Sequence, residues 1–212
     1  IGDVAGSYYE VLEVNYYKQH KTNRPYEERI KILDKNTPLF TKESSYTDDT
    51  VLTCAILDAI NNDGNYEKYL REYGLREINL GKDKYGRSRF GRGFIDWLDY
   101  NSDGVSYGNG SAMRISPVGY LFDTLEDVKE HSYKATIPSH DHIDAIIGAE
   151  AVASSIFLLR NGYSKEKTIE YIKDSYYNLD LDLEILQRNN EFSSKASITV
   201  PQALYIFSIS ND

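Results

Sequence analysis

The longest helical pattern in the sequence runs from Ile143 to Arg160 and ends at Asn161-Gly162, which is an ordinary helix stop. Small residues dominate it: Gly148, Ala149, Ala151, Ala153, Ser154 and Ser155. Small side chains let neighbouring helices approach closely, whereas a helix at the protein surface carries a charged face. This stretch therefore predicts a central helix in a bundle.

Other segments also repeat with helical spacing. The apolar residues after Asp49 recur at i, i+3, i+4, i+7 and i+8, which predicts an amphipathic helix running to Asn62. Shorter helical patterns cover 25–33, 66–73, 94–98, 164–176 and 199–207, and the polar stretch 15–25 is typical of a loop. No run alternates as a strand would. We therefore expect an all-α chain forming one domain over residues 1–212.

The charge balance excludes some classes of partner. The chain has 24 Lys and Arg against 33 Asp and Glu, a formal charge of −9. Nucleic acids and anionic membranes attract basic surfaces, so neither is an expected partner. The single cysteine, Cys54, allows no intrachain disulfide, which fits a reducing compartment and favours a cytoplasmic location. No apolar run approaches the roughly 20 residues that a membrane span requires.

The stretch 45–50 combines hydroxyl side chains with two adjacent carboxylates, Asp48 and Asp49, directly before an apolar helix. Hydroxyl and carboxylate oxygens are the donors that hold Mg²⁺, Mn²⁺ or Ca²⁺. The same residues are also typical of a plain helix start, with a hydroxyl cap and acids in the first turn. The residues alone leave both interpretations open.

A second polar cluster is the glycine-rich stretch 107–114, which ends in Arg114. Exposed backbone amides, a following helix start and an arginine would suit an anion, although Gly-Asn-Gly is also an ordinary tight turn. His140 stands just before the long helix. We expect it at a helix start, where its side chain reaches the same end of the bundle as the polar loops.

Four motifs occur in the order found in ADP-ribosylglycohydrolases, and the whole chain resembles that family. The family includes the dinitrogenase-reductase-activating glycohydrolase and the ADP-ribosyl-acceptor hydrolases. The motifs are Gly2-Asp3-Val4-Ala5-Gly6-Ser7 with Glu10, Thr47-Asp48-Asp49-Thr50, Gly108-Asn109-Gly110-Ser111-Ala112-Met113-Arg114-Ile115-Ser116-Pro117, and Ser139-His140. Each motif alone is a modest signal, whereas four in order are specific.

The resemblance implies a single orthogonal multi-helix bundle with two divalent ions, Mg²⁺ or Mn²⁺, at the bottom of an ADP-ribose cleft. It implies a hydrolase that cleaves the N- or O-glycosidic bond between ADP-ribose and a protein side chain, or a related ADP-ribose compound. Thr47, Asp48 and Asp49 would be the metal ligands. Either Glu10 or Asp49 would be the base that activates water, and a metal-bound carboxylate is the poorer base.

The resemblance also assigns the ligand contacts. Gly108, Asn109, Gly110, Ser111, Met113 and Arg114 would line the ADP-ribose, with backbone amides at the diphosphate. His140 falls where the family has a histidine beside the ligand. The expected partner is thus an ADP-ribosylated protein or a small ADP-ribose compound.

One departure from the family pattern concerns the C-terminus. The family carries a further Gly-Gly-Asp-x-Asp-Thr motif that completes its metal site, and no such motif follows Thr199. The expectation is a chain trimmed at both ends, with the remaining metal ligands outside it. A non-catalytic protein that binds ADP-ribose or a nucleotide, or a purely structural helical protein, is the alternative.

Overall fold

The computed structural model describes residues 1–32, 37–82, 88–100, 102–189 and 193–211. Within these ranges the chain forms twelve α-helices and two isolated β-bridges, so the all-α prediction is confirmed. The helices are α1 Gly2–His20, α2 Tyr26–Ile32, α3 Asp48–Asn61, α4 Tyr66–Asn79, α5 Arg92–Leu98, α6 Gly110–Met113, α7 Ser116–Leu121, α8 Leu125–His140, α9 Ile143–Arg160, α10 Lys165–Ser175, α11 Leu183–Asn189 and α12 Ala196–Ile209.

The contacts between Cα atoms divide the chain into two compact units. The first contains Ile1–Thr47 and Leu181–Phe192, and the second contains Asp48–Asp180 and Ser193–Asp212. The first unit therefore holds α1, α2 and α11, and the second holds the other helices of the described ranges. One domain over residues 1–212 stays a prediction.

In the first unit, α1 includes residues for which the sequence predicted a loop. The helix continues to His20 and ends where Lys21 adopts the left-handed conformation at φ 59°, with its N–H donated to the carbonyl of Tyr17. The prediction of a loop from residue 15 was therefore wrong for residues 15–20. The rings of Tyr16 and His20, one helical turn apart, stack with centroids 4.1 Å apart. Contacts between side chains at i and i+4 stabilise a helix.

In the second unit, α9 is the central helix, as its small residues predicted. It contacts α6, α7, α8, α10 and α12, and half of its residues are buried: Ala145, Gly148, Ala149, Ala151, Ala153, Ser154, Ser155, Phe157 and Leu158. The helices approach so closely that a Cβ on Gly119 of α7 would lie 2.4 Å from the carbonyl oxygen of Ala153. Small residues on both helices permit this contact.

The helix α8 was not visible in the hydrophobic pattern. Its buried face is largely small and polar, and comprises Val128, Ser132, Ala135, Thr136, Ser139 and His140. A capping signal does precede it, since the side chain of Thr124 accepts a hydrogen bond from the Asp127 amide. The prediction that His140 stands at a helix start was consequently wrong, because His140 is the last residue of α8 and His142 caps α9.

None of the helices in the described ranges combines the length and the apolar character that crossing a bilayer demands.

Candidate functional site

Thr47, a predicted metal ligand, is bound by Asp3 in the first unit. The Thr47 backbone amide donates to Asp3 Oδ2 over 2.9 Å, and the Thr47 hydroxyl donates to Asp3 Oδ1 over 2.6 Å. Asp3 lies in the first turn of α1. Its carboxylate thus fixes both the backbone of Thr47 and the direction of its hydroxyl proton, a role that the sequence had not assigned to Asp3.

A neighbouring contact runs along the same face of α1. The backbone amide of Ser45 donates to Ser7 Oγ over 3.0 Å, and Ser7 is buried. Asp3, Ser7 and Glu10 are spaced i, i+4 and i+7, so their side chains share one face of the helix. The segment 45–47 therefore lies along the face of α1 that also carries Glu10, the predicted base.

Asp48 and Asp49 begin α3 in the second unit and form its acidic first turn. The helix-start interpretation of these residues is confirmed, and a helix N-terminus favours negative charge. Among the residues that the structure describes, no three side chains of His, Cys, Asp or Glu group together as a metal site. The metal-binding roles of Thr47, Asp48 and Asp49 stay predictions.

The loop 104–109 of the second unit is held by main-chain hydrogen bonds on both sides. On one side, the Asp141 amide donates to the carbonyl of Gly104 over 2.8 Å. On the other, the Asn109 amide donates to Ser194 over 2.8 Å, and the Ala196 amide donates to Tyr107 over 3.1 Å. The loop is thereby fixed between the end of α8 and the start of α12.

The side chains that follow the loop point in different directions. Asn109 donates its amide to Thr199 Oγ1 over 3.0 Å. Ser111 is fully buried and donates to the carbonyl of Ala145 over 3.1 Å. Met113 packs against the main hydrophobic core. Ligand contacts by these residues, and by Gly108 and Gly110, stay predictions.

Arg114 is the largest of the fully buried side chains and has an exposed fraction of 0%. One terminal nitrogen, Nη2, donates to the carbonyl of Ala135 over 3.1 Å and to Ser139 Oγ over 2.8 Å. Burial lowers the pKa of the guanidinium to about 9, which still leaves it charged at neutral pH. The side chain is therefore bound to α8, and its predicted contact with a ligand stays a prediction.

The ring of His140 lies between Ser139 and the segment Gly108-Asn109-Gly110, which we call the glycine loop. Its Nδ1 is 2.8 Å from Ser139 Oγ, and a Cβ built on Gly110 would lie 2.8 Å from its Nε2. Burial, with the positive charge of Arg114 as the smaller cause, lowers the pKa of His140 to about 3. The ring is thus neutral at physiological pH, and only a residue without a side chain fits at position 110.

The predicted site residues therefore fall into two groups. Thr47 and Glu10 belong to the first unit, together with Asp3 and Ser7, which the sequence had not singled out as functional. The glycine loop, Arg114 and His140 come together in the second unit through Ser139. A buried cation, a neutral imidazole and the half-buried backbone of Gly108 and Gly110 suit a ligand rich in acceptor oxygens.

Comparison with known proteins agrees with these motifs. A family model described as ADP-ribosylglycohydrolase matches residues 1–208 of the 212-residue chain. The match includes all four motifs, so the resemblance drawn from them is confirmed at the level of the family. No curated protein gives a significant match to the chain.

Proposed function

The chain belongs to the ADP-ribosylglycohydrolase family, and from this premise we propose that it is a metal-dependent hydrolase of ADP-ribosyl bonds. The bond cleaved is the N- or O-glycosidic bond between ADP-ribose and a protein side chain, or its equivalent in a small ADP-ribose compound. The observation that carries the proposal is the pair of hydrogen bonds by which Asp3 orients Thr47 beside two adjacent carboxylates.

Thr47, Asp48 and Asp49 would hold two divalent ions, Mg²⁺ or Mn²⁺. All three residues offer hard oxygen ligands. A hydroxyl coordinates a cation through a lone pair, and the Thr47 hydroxyl directs its proton to Asp3. When bound, such ions supply Lewis-acid stabilisation and orient the hydroxyls of the ribose.

Glu10 is the base that we favour. It shares a face of α1 with Asp3 and Ser7, which bind the segment leading to Asp48. In the reaction, Glu10 takes a proton from water while the oxygen of that water attacks the anomeric carbon. The bond to the leaving side chain breaks through an oxocarbenium-like state, the leaving side chain takes up a proton from the solvent, and Glu10 then returns its own proton to the solvent. Asp49 is the other candidate for this role.

The glycine loop of the second unit would receive the ADP-ribose. Glycine backbone amides approach diphosphate oxygens closely, and the buried guanidinium of Arg114, which is charged at neutral pH, would favour an anion. His140 is held at the same loop by its approach to Gly110. These contacts would bind the nucleotide half of the substrate.

The direct test is release of ADP-ribose from peptides that carry mono-ADP-ribosylated arginine or serine. We expect release in the presence of Mg²⁺ or Mn²⁺ and little release after chelation. If neither peptide releases ADP-ribose with Mg²⁺ or with Mn²⁺, the proposal is contradicted. In that case, ADP-ribose binding without a requirement for metal would support the non-catalytic alternative.

Two variants distinguish the role of a general base from that of a metal ligand. Glu10→Gln should lower the rate by about 10²–10⁴-fold, the usual contribution of a general base, without changing the metal concentration needed for half-maximal activity. Asp49→Asn should raise that metal concentration. Glu170→Gln on α10 is the control, since this exposed glutamate belongs to neither group of site residues. A rate for Glu10→Gln equal to that of the control would remove Glu10 from the mechanism.

A further inference from the structure

Arg114, Ser139 and His140 form a chain of hydrogen bonds with a defined direction. A guanidinium only donates hydrogen bonds. Arg114 Nη2 lies 2.8 Å from Ser139 Oγ, so the serine oxygen is the acceptor in this contact. The arrangement is buried, because Arg114 is 0% exposed and Ser139 is 3% exposed.

The next contact follows from the single proton of the Ser139 hydroxyl. Among the described residues, the ring nitrogen Nδ1 of His140, 2.8 Å away, is the acceptor in hydrogen-bonding distance of this hydroxyl. A buried hydroxyl that donates to no acceptor is unfavourable. Ser139 therefore donates to His140 Nδ1, and this nitrogen carries no proton.

This direction fixes the tautomer of His140. The ring is neutral because burial and the charge of Arg114 lower the pKa of His140 to about 3. A neutral imidazole has one proton, and with Nδ1 as acceptor that proton resides on Nε2. The Nε2 atom faces the glycine loop, since a Cβ built on Gly110 would lie 2.8 Å from it and one on Gly108 would lie 3.8 Å from it.

We propose that Arg114 and Ser139 are positioning residues that hold His140 in its Nε2–H tautomer, so that His140 donates a hydrogen bond to an oxygen of the ligand at the glycine loop. This role for the ligand rests on the proposed function. The opposite tautomer would turn a lone pair towards the loop and repel a phosphate or ribose oxygen. In this arrangement His140 is a donor that binds the ligand and is not a base.

The buried charge of Arg114 adds a second effect. In the described ranges, its Nε and Nη1 have no hydrogen-bond partner, and no carboxylate is within ion-pair distance of it. An uncompensated buried charge is unfavourable for the free protein, so a nearby anion is attracted. The Arg114 guanidinium thus has two effects. It orients the Ser139 hydroxyl, and through it the tautomer of His140, and it favours a negatively charged ligand.

The tautomer can be measured directly on the free chain. Multiple-bond ¹H–¹⁵N NMR at pH 7 distinguishes a protonated imidazole nitrogen from a bare one, and the His140 signals are assigned by their loss in His140→Asn. We expect a protonated Nε2 and a bare Nδ1. A protonated Nδ1 in the wild-type protein would overturn the proposal, and this outcome does not depend on the folding of any variant.

Substitutions of Ser139 test the chain of contacts. Ser139→Ala removes the donor, so His140 should become a mixture of both tautomers, and affinity for ADP-ribose should fall about tenfold, the effect of one hydrogen bond. Ser139→Thr keeps the hydroxyl and should restore both readouts. A wild-type tautomer in a folded Ser139→Ala protein, checked by circular dichroism, would contradict the proposal.

The two proposals fail in different ways. If the wild-type protein has the expected tautomer and Ser139→Ala changes it, but calorimetry detects no binding of ADP-ribose to any variant, the proposed function fails and the positioning of His140 stands. If ADP-ribose binds equally to wild type, Ser139→Ala and Ser139→Thr, the function stands and the role of His140 as ligand donor is lost.

Discussion

Asp3 accepts two hydrogen bonds from Thr47, one from its backbone amide over 2.9 Å and one from its hydroxyl over 2.6 Å. The first orders the chain immediately before α3, and the second orders the hydroxyl proton. A single carboxylate in the first turn of α1 therefore determines how the predicted metal ligand Thr47 is presented.

We expect Asp3→Ala to be destabilising. The substitution removes the acceptor of both Thr47 donors, and hydrogen bonds to charged groups contribute about 1.5–3 kcal/mol each. The free energy of unfolding, measured by chemical denaturation, should fall by about 3–6 kcal/mol, the sum of two such bonds. Asp174→Ala on α10, which removes an exposed carboxylate, is the control, and surface changes of this kind usually stay within about 0.5 kcal/mol. Equal stability of the two variants would exclude the role assigned to Asp3.

We expect divalent ions to raise the melting temperature through Asp48 and Asp49. A ligand that binds only the folded state at a hundredfold excess over its Kd stabilises by about 2.7 kcal/mol, which corresponds to several degrees. Saturating MgCl₂ or MnCl₂ should therefore raise Tm in scanning calorimetry, relative to NaCl of equal ionic strength. The rise should vanish when both aspartates are replaced, in Asp48→Asn/Asp49→Asn.

A matched control for this experiment lies on α8. Glu126 and Asp127 are likewise adjacent acids in the first turn of a helix. The double variant Glu126→Gln/Asp127→Asn should keep the full response to metal. An equal loss of response in both double variants would mean that the ions act on helix N-termini in general.

We expect Gly110→Ala to displace His140. Its Cβ would lie 2.8 Å from His140 Nε2, and forcing a group into a packed site costs about 1–3 kcal/mol. Denaturation should show this loss, and calorimetry should show weaker ADP-ribose binding. Gly93→Ala is the control, because a Cβ there meets nothing within 4 Å. A Gly110→Ala protein with wild-type stability and affinity would contradict the close contact.

We expect His140 to make the protein less stable in acid. In the folded state burial holds the pKa of this histidine at about 3, whereas an unfolded histidine titrates near 6.5, at roughly the usual peptide value. Between these values the unfolded state binds the additional proton, so stability falls as the pH decreases, by about 1.4 kcal/mol per pH unit. Above the unfolded pKa the ring is neutral in both states, so the contribution of His140 to the free energy of unfolding no longer changes with pH.

The measurement compares wild type with His140→Asn, which keeps an acceptor for Ser139. The free energy of unfolding should fall by about 2 kcal/mol more in wild type than in the variant between pH 7 and pH 5. Parallel curves for the two proteins over this range would show that His140 is not buried as a neutral ring.

The sequence was sufficient for the helices whose buried face is apolar or uniformly small. α9 was predicted with its observed ends, Ile143 and Arg160, because its small residues and its Asn161-Gly162 stop are local signals. The start of α3 was likewise marked by Asp48 and Asp49. Patterns of this kind need only neighbouring residues, and hydrophobic periodicity detects them.

The helix α8 was missed because its packing does not follow hydrophobicity. Ser132, Thr136 and Ser139 are buried in it, and a scale that treats serine and threonine as polar registers no apolar stripe. Because α8 was missed, the sequence placed His140 at the start of α9, whereas it is the last residue of α8. The cap formed by Thr124 with Asp127 was a usable signal.

The partners of the site residues were beyond sequence reasoning for a different reason. Thr47 meets Asp3 across 44 positions, and Arg114 meets Ser139 across 25. Spacing rules act within a few residues of one element and cannot pair side chains that only the tertiary fold brings together. The motifs named the candidate segments, but the hydrogen bonds between their residues had to come from the structure.

The loop 104–109 is bonded through its main chain to the end of α8 on one side and to the start of α12 on the other. Its conformational entropy is consequently lost when the protein folds and not when a ligand arrives. Binding to a loop that is already ordered avoids the free-energy penalty of rearrangement. Association at this loop should accordingly be governed by the rate of encounter, with no slow step of loop closure.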